Sequence, residues 1–117
     1  MPKGEELDIA TEISKMGSSS RCVYRGMCTK EYKNLIKDKI IVSKGVGNTR
    51  DIIGSYVATD IQLAGRFALR AWKDGLGGVI LTFDREKLPH LNQADPGNYY
   101  VDFLAAKAIR GVYILGR

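Results

Sequence analysis

Gly54-Ser55-Tyr56-Val57-Ala58-Thr59-Asp60 runs directly into the segment Ile61 to Asp74, and this junction decides how the chain is read. Ile52 to Ala58 has the pattern of a short strand, weakened at Gly54. Thr59 or Asp60 is suited to cap a helix. Behind the cap, Ile61, Ala64, Phe67, Ala68, Ala71 and Trp72 recur at helical spacing as an apolar stripe, leaving Gln62, Arg66, Arg70 and Lys73 for water. The start of such a helix offers unpaired backbone N–H groups and the positive end of its dipole. A strand delivered onto that end supplies one half of a cleft for an anionic ligand.

The other half lies earlier. Cys22-Val23-Tyr24-Arg25 reads as a short strand stopped by Gly26. It holds Arg25 at the end of a rigid element, where the planar guanidinium fork could grip a phosphate or a ribose-bearing group through two hydrogen bonds. In a purely structural role Arg25 would lie at the surface or pair with an acid of the same sheet.

Between and beyond these segments the pattern alternates. Thr29 can cap a helix running to about Lys39, with Tyr32, Leu35 and Ile36 on one face. Ile40-Ile41-Val42 reads as a strand and Ser43 to Asn48 as a loop. Gly75, Gly77 and Gly78 end the second helix, and Gly78 to Phe83 is apolar enough for a central strand covered on both faces. Asp84 to Gly97 is a long connection, Tyr99 to Phe103 a strand, Ala105 to Lys107 a turn, and Ile109 to Leu115 a closing strand. The order is strand, helix, strand, strand, helix, three strands: an α+β domain with mostly antiparallel pairings and two main helices. Residues 1–20 read as a flexible or loosely docked leader, in which Leu7, Ile9 and Ile13 could form a short docked helix, and residues 21–117 as one domain.

Composition narrows the function classes. A chain of 117 residues holds one core and not two. Charged residues interrupt every apolar run, and the polar start lacks a signal-peptide core, so a cytoplasmic protein without a membrane partner is expected. Cys22 and Cys28 flank the first strand, which holds them apart, and with a single histidine they make no zinc site; reduced thiols are expected. His90 stands between Pro89 and Leu91 with no nucleophile or carboxylate close in sequence, which suits a structural or surface role. No phosphate-binding loop or dinucleotide fingerprint is present. The net charge of +5 suits an anionic partner, although the basic residues are spread along the chain.

Val23-Tyr24-Arg25-Gly26, Gly54 to Asp60 with Ala64, Phe67 and Ala68, Gly78-Val79-Ile80-Leu81, Tyr99-Tyr100-Val101-Asp102 and Ala108 to Tyr113 together resemble, in order and spacing, the small toxin-like ADP-ribosyltransferases whose motifs run Arg, Ser-Thr-Ser, Glu. The resemblance implies split antiparallel β-sheets clasping NAD as a substrate. It also implies displacement of nicotinamide and transfer of ADP-ribose to a protein or nucleic-acid acceptor, in the manner of a bacterial or phage effector. Arg25 would match the first-motif arginine that holds phosphates and ribose, with Tyr24 and Gly26 beside it. Thr59 would match the hydroxyl residue of the second motif, and Tyr56 or a nearby aromatic could stack on nicotinamide. The third motif departs from the family, because Asn98 stands where Glu is usual. Asn98 brings hydrogen bonds but no negative charge for the cationic ribose that forms as the glycosidic bond breaks. Asp95, expected on a loop, could swing in to substitute; Asp102, four positions along an extended strand, would lie roughly 13 Å away, too far in this register. Two further readings stand beside transfer chemistry. One is a module on the same fold that binds NAD, ADP-ribose or a partner without turnover. The other is a small basic nucleic-acid-binding domain using Tyr24, Tyr99, Tyr100 and Tyr113.

Overall fold

The computed structural model describes residues 3–42, 55–88, 92–95, 98–101 and 103–116. The loop expected at Ser43 to Asn48, the start of the strand expected from Ile52, His90 and Asp102 lie outside the described residues. The domain is α+β. Its helices are α1 (Lys3–Ser14), α2 (Thr29–Asp38) and α3 (Ile61–Lys73). Its strands are β1 (Cys22–Met27), β2 (Ile40–Val42), β3 (Ser55–Ala58), β4 (Val79–Asp84), β5 (Asn92–Asp95), β6 (Asn98–Val101), β7 (Phe103–Ala105) and β8 (Ile109–Ile114). One sheet has the order β5-β6-β3-β1-β4-β8; β2 and β7 form a separate pair. Every described pairing is antiparallel.

Five strands follow α3 rather than three. The expected Tyr99 to Phe103 strand is shared between two sheets: β6 joins β3, while β7 pairs with β2 outside the large sheet. The expected connection between Asp84 and Gly97 contains a short 3₁₀ turn, Arg85–Lys87, and β5. Asp95 therefore belongs to a strand, opposite Asn98, and not to a free loop.

Side-chain alternation along β1 separates two cores. Cys22 and Tyr24 join Ile61, Ala64, Ala68 and Trp72 of α3 and Ile9 and Ile13 of α1. Val23 and Met27 join Leu35 of α2 with Val57, Leu81, Phe83 and Leu104. The central strand β4 is accordingly buried on both faces, as its apolar run requires. On α2 only Leu35 is fully buried; Ile36 faces solvent although helical spacing puts it beside Tyr32. The cap of α2 is Cys28, which leaves Thr29 as the first helical residue.

α1 is fastened to α3 by more than apolar contact. The Gln62 amide donates to the carbonyls of Ile13, at 2.7 Å, and Met16, at 2.9 Å. Gln62, expected in water, instead satisfies carbonyls at the open end of α1. Lys73 pairs with Glu6 at 2.6 Å. Leu7 points away from this interface.

β1 does not stop at Gly26 but continues to Met27. The glycine is needed for a different reason: α3 crosses β1 there. A Cβ on Gly26 would strike the Ala64 carbonyl oxygen and lie 2.8 Å from the Ala68 nitrogen. Close helix–sheet approach, not strand termination, explains the residue.

Candidate functional site

The large sheet is nearly divided between β1 and β3. β1 pairs with β4 along its whole length, from Cys22 opposite Asp84 to Met27 opposite Val79. Against β3 it makes one pairing among the described residues, Tyr24 opposite Ala58. Two residues further along, Gly26 and Tyr56 would be partners in an unbroken ladder, and there the described ladder has ended. A cleft of about 410 Å³ opens at this gap, lined by Tyr24, Arg25, Gly26, Tyr56, Val57, Ala58, Ala64 and Phe67. Its volume falls within the usual range for small-molecule sites.

Arg25 spans the gap. Its Nη1 donates to the Tyr56 carbonyl at 2.8 Å, a side-chain link from β1 to β3. Its Nη2 donates to Glu31 Oε1 at 2.6 Å. Nε is buried with no partner among the described residues. The arginine side chain retains 19% of its exposure and the glutamate 32%, so the ion pair is partly sheltered, and Arg25 is one of the residues lining the cleft. Sequence reasoning anticipated an acid of the same sheet as a structural partner; the acid comes instead from the first turn of α2. A short strand-to-helix connection folds that turn back beside the end of β1, and this is the signal that could have found Glu31.

Of the residues expected to form the site, Tyr24, Arg25, Gly26 and Tyr56 line one cleft. Tyr24 does so as a wall, 3% exposed, with its hydroxyl accepting from the Ser19 N–H at 2.7 Å. Tyr56 is 43% exposed. Thr59 follows β3 in the turn before α3. Asn98 is opposite Ala58 on the neighbouring strand, one strand spacing from the cleft lining, and Asp95 is opposite Asn98. Tyr99 and Tyr113, considered as base-stacking surfaces, pack partly against the two cores.

Phe67 is the lining residue that the helical pattern misassigned. It was expected in the buried stripe and is 57% exposed at the cleft. The buried face of α3 comprises Ile61, Ala64, Gly65, Ala68 and Trp72. At 3.6 residues per turn Phe67 lies about 110° from the centre of that face. Including Gly65 in the stripe, which α1 covers through Ile13, would have rotated the core away from Phe67.

The start of α3 does not offer free N–H groups to an anion. The Ile61 N–H donates to Ser18 Oγ at 2.8 Å, and the Gln62 N–H to the capping carboxylate of Asp60 at 2.9 Å. The Asp60 carbonyl accepts from Leu63 at 3.1 Å. Asp60 also places a negative charge at the positive end of the dipole. The expected anion-binding contribution is thus consumed within the chain, and Arg25 is the cation at the cleft lining. Cys22 and Cys28 are both free thiols. Among the described residues no cluster of potential metal ligands occurs, and no helix is long and apolar enough to cross a membrane.

No protein-family model matches the chain, and a search of the curated proteins finds no significant match.

Proposed function

We propose that the cleft binds NAD by its nicotinamide end, and that the chain is an ADP-ribosyltransferase-like domain that displaces nicotinamide. The observation that carries this reading is the parting of β1 from β3 beside Arg25, which leaves two exposed aromatic side chains, Tyr56 and Phe67, on one apolar cleft. Flat rings bind well against such side chains. Arg25 then borders the ribose and phosphate side. In the reaction the bond between ribose C1′ and the nicotinamide nitrogen breaks, its electron pair leaving with nicotinamide. Water or a hydroxyl or amine of a protein or nucleic-acid acceptor bonds to C1′ and releases a proton. With water the products are ADP-ribose, nicotinamide and one proton.

A second reading, binding without turnover, is favoured by Asn98. It is opposite Ala58, beside the cleft lining, and lacks the charge that would stabilise a cationic ribose. Loss of one such electrostatic contact costs about a hundredfold in rate or more.

The experiment is incubation of the purified chain with NAD, reading free nicotinamide over time and thermal stabilisation in parallel. Arg25→Ala and Phe67→Ala serve as companions, since Phe67 binds no sheet strand to another. Release by the wild type, abolished in both variants, supports transfer chemistry. Stabilisation by NAD without release, lost in both variants, supports the binding module. Neither release nor stabilisation refutes both readings.

A further inference from the structure

The geometry points to Glu31 as the residue that sets the charge preference of the cleft. The inference rests on the cleft being the binding site proposed above. Two observations carry it. First, the cation on the cleft lining is held at 2.6 Å by a carboxylate, in a half-sheltered position where solvent screens the pair only in part. Second, the N–H groups that could have attracted an anion at the start of α3 are occupied by Ser18 and Asp60. The cleft therefore presents a guanidinium in shape but close to zero net charge. A bound phosphate meets Arg25 attraction and Glu31 repulsion together. The uncharged parts of a nucleotide meet Tyr56, Phe67, Val57, Ala58 and Ala64 without such opposition. Glu31 thus directs recognition toward the ring-and-ribose end of a nucleotide and away from its phosphates.

Glu31 is a specificity-determining and positioning residue rather than a catalytic one, because it acts through Arg25. Its two effects can be separated. Glu31→Gln keeps an oxygen able to accept from Nη2, so Arg25 stays in place, and removes only the charge. A phosphate bound in the cleft beside Arg25 would lie roughly 6 Å from that carboxylate, where removing one unit charge alters affinity by about tenfold.

The test is calorimetric titration of the wild-type chain, Glu31→Gln, and the double variant Arg25→Gln/Glu31→Gln with three probes: inorganic pyrophosphate, NAD and nicotinamide. Circular dichroism confirms that each variant is folded. Glu31→Gln is expected to bind pyrophosphate about tenfold more tightly than the wild type, with a steeper loss of affinity as salt is added. Nicotinamide affinity should be unchanged, and the pyrophosphate gain should vanish in the double variant. If pyrophosphate affinity is unchanged or falls in Glu31→Gln, or the gain survives in the double variant, the role given to Glu31 is wrong. If the pyrophosphate gain appears but neither NAD nor nicotinamide binds any form, Glu31 keeps its role and the NAD reading fails. If NAD binds the wild type but pyrophosphate binds neither form, the NAD reading stands and the Glu31 inference falls.

Discussion

Gly26→Ala tests the architecture that creates the cleft. The added methyl would collide with the Ala64 carbonyl oxygen, 2.8 Å from the Ala68 nitrogen and 2.9 Å from the Ala64 carbonyl carbon. Ordinary contacts of this kind are about 3.5–4.0 Å, so α3 must retreat by about an ångström. The obstacle is helix backbone, which cannot rotate aside as a side chain can. Overpacking a core costs about 1–3 kcal/mol, and here the upper end applies because a whole helix moves. Retreat also loosens the contacts of Ile61, Ala64, Ala68 and Trp72 with the sheet. At about 4 °C per kcal/mol for a domain of this size, the melting temperature should fall by roughly 12 °C. The assay is urea unfolding followed by Trp72 fluorescence, beside thermal melts by circular dichroism. Gly17→Ala is the internal control: nothing lies within 4 Å of its would-be Cβ, so it should be neutral or slightly stabilising. Because the clash is with backbone, neither Ala64→Gly nor Ala68→Gly should rescue Gly26→Ala. A loss below about 0.5 kcal/mol for Gly26→Ala, or rescue by either second substitution, would refute the close-crossing argument.

Three further expectations concern the site and its supports. Phe67→Ala should change stability by less than about 1 kcal/mol, as for other largely exposed residues, while abolishing stabilisation by NAD; melts with and without NAD check both halves. Gln62→Ala leaves the Met16 carbonyl without its described donor, while the Ile13 carbonyl keeps the Met16 N–H at 2.9 Å, and should cost about 1–3 kcal/mol, with hydrogen exchange accelerating first in α1. Leu35→Ala should cost about 2–5 kcal/mol and its neighbour Ile36→Ala less than about 1 kcal/mol, a contrast that urea unfolding of the two variants measures directly.

The elements that could be read from the sequence are those with a strong local cause. The apolar run of β4 demands cover on both faces, and the capped, striped segment of α3 demands one apolar side. Elements were misread where the cause is tertiary. Gly26 looks like a strand stop until a helix is seen crossing it. Gln62 looks like a surface residue until the open end of α1 is brought to it. The division between β6 and β7 has no turn signal strong enough to announce it; it follows from β2 offering Leu104 and its neighbours a second sheet to join.

The candidate site repeats this division at the level of single residues. Arg25 and Tyr56 were legible because each belongs to a strand with a clear local pattern. Phe67 and Glu31 were not, because their roles depend on angles between elements. Phe67 reaches the cleft only because α1 claims the opposite side of α3, and Glu31 reaches Arg25 only because α2 folds back beside β1. By donating to the Tyr56 carbonyl Arg25 ties β1 to β3, and by pairing with Glu31 it ties that link to α2. The residue that lines the cleft also links the two strands on either side of it. A substitution at Arg25 therefore disturbs shape and charge at once, whereas Phe67→Ala removes an aromatic wall and Glu31→Gln a charge. Those two variants separate what the cleft recognises from what keeps it a cleft.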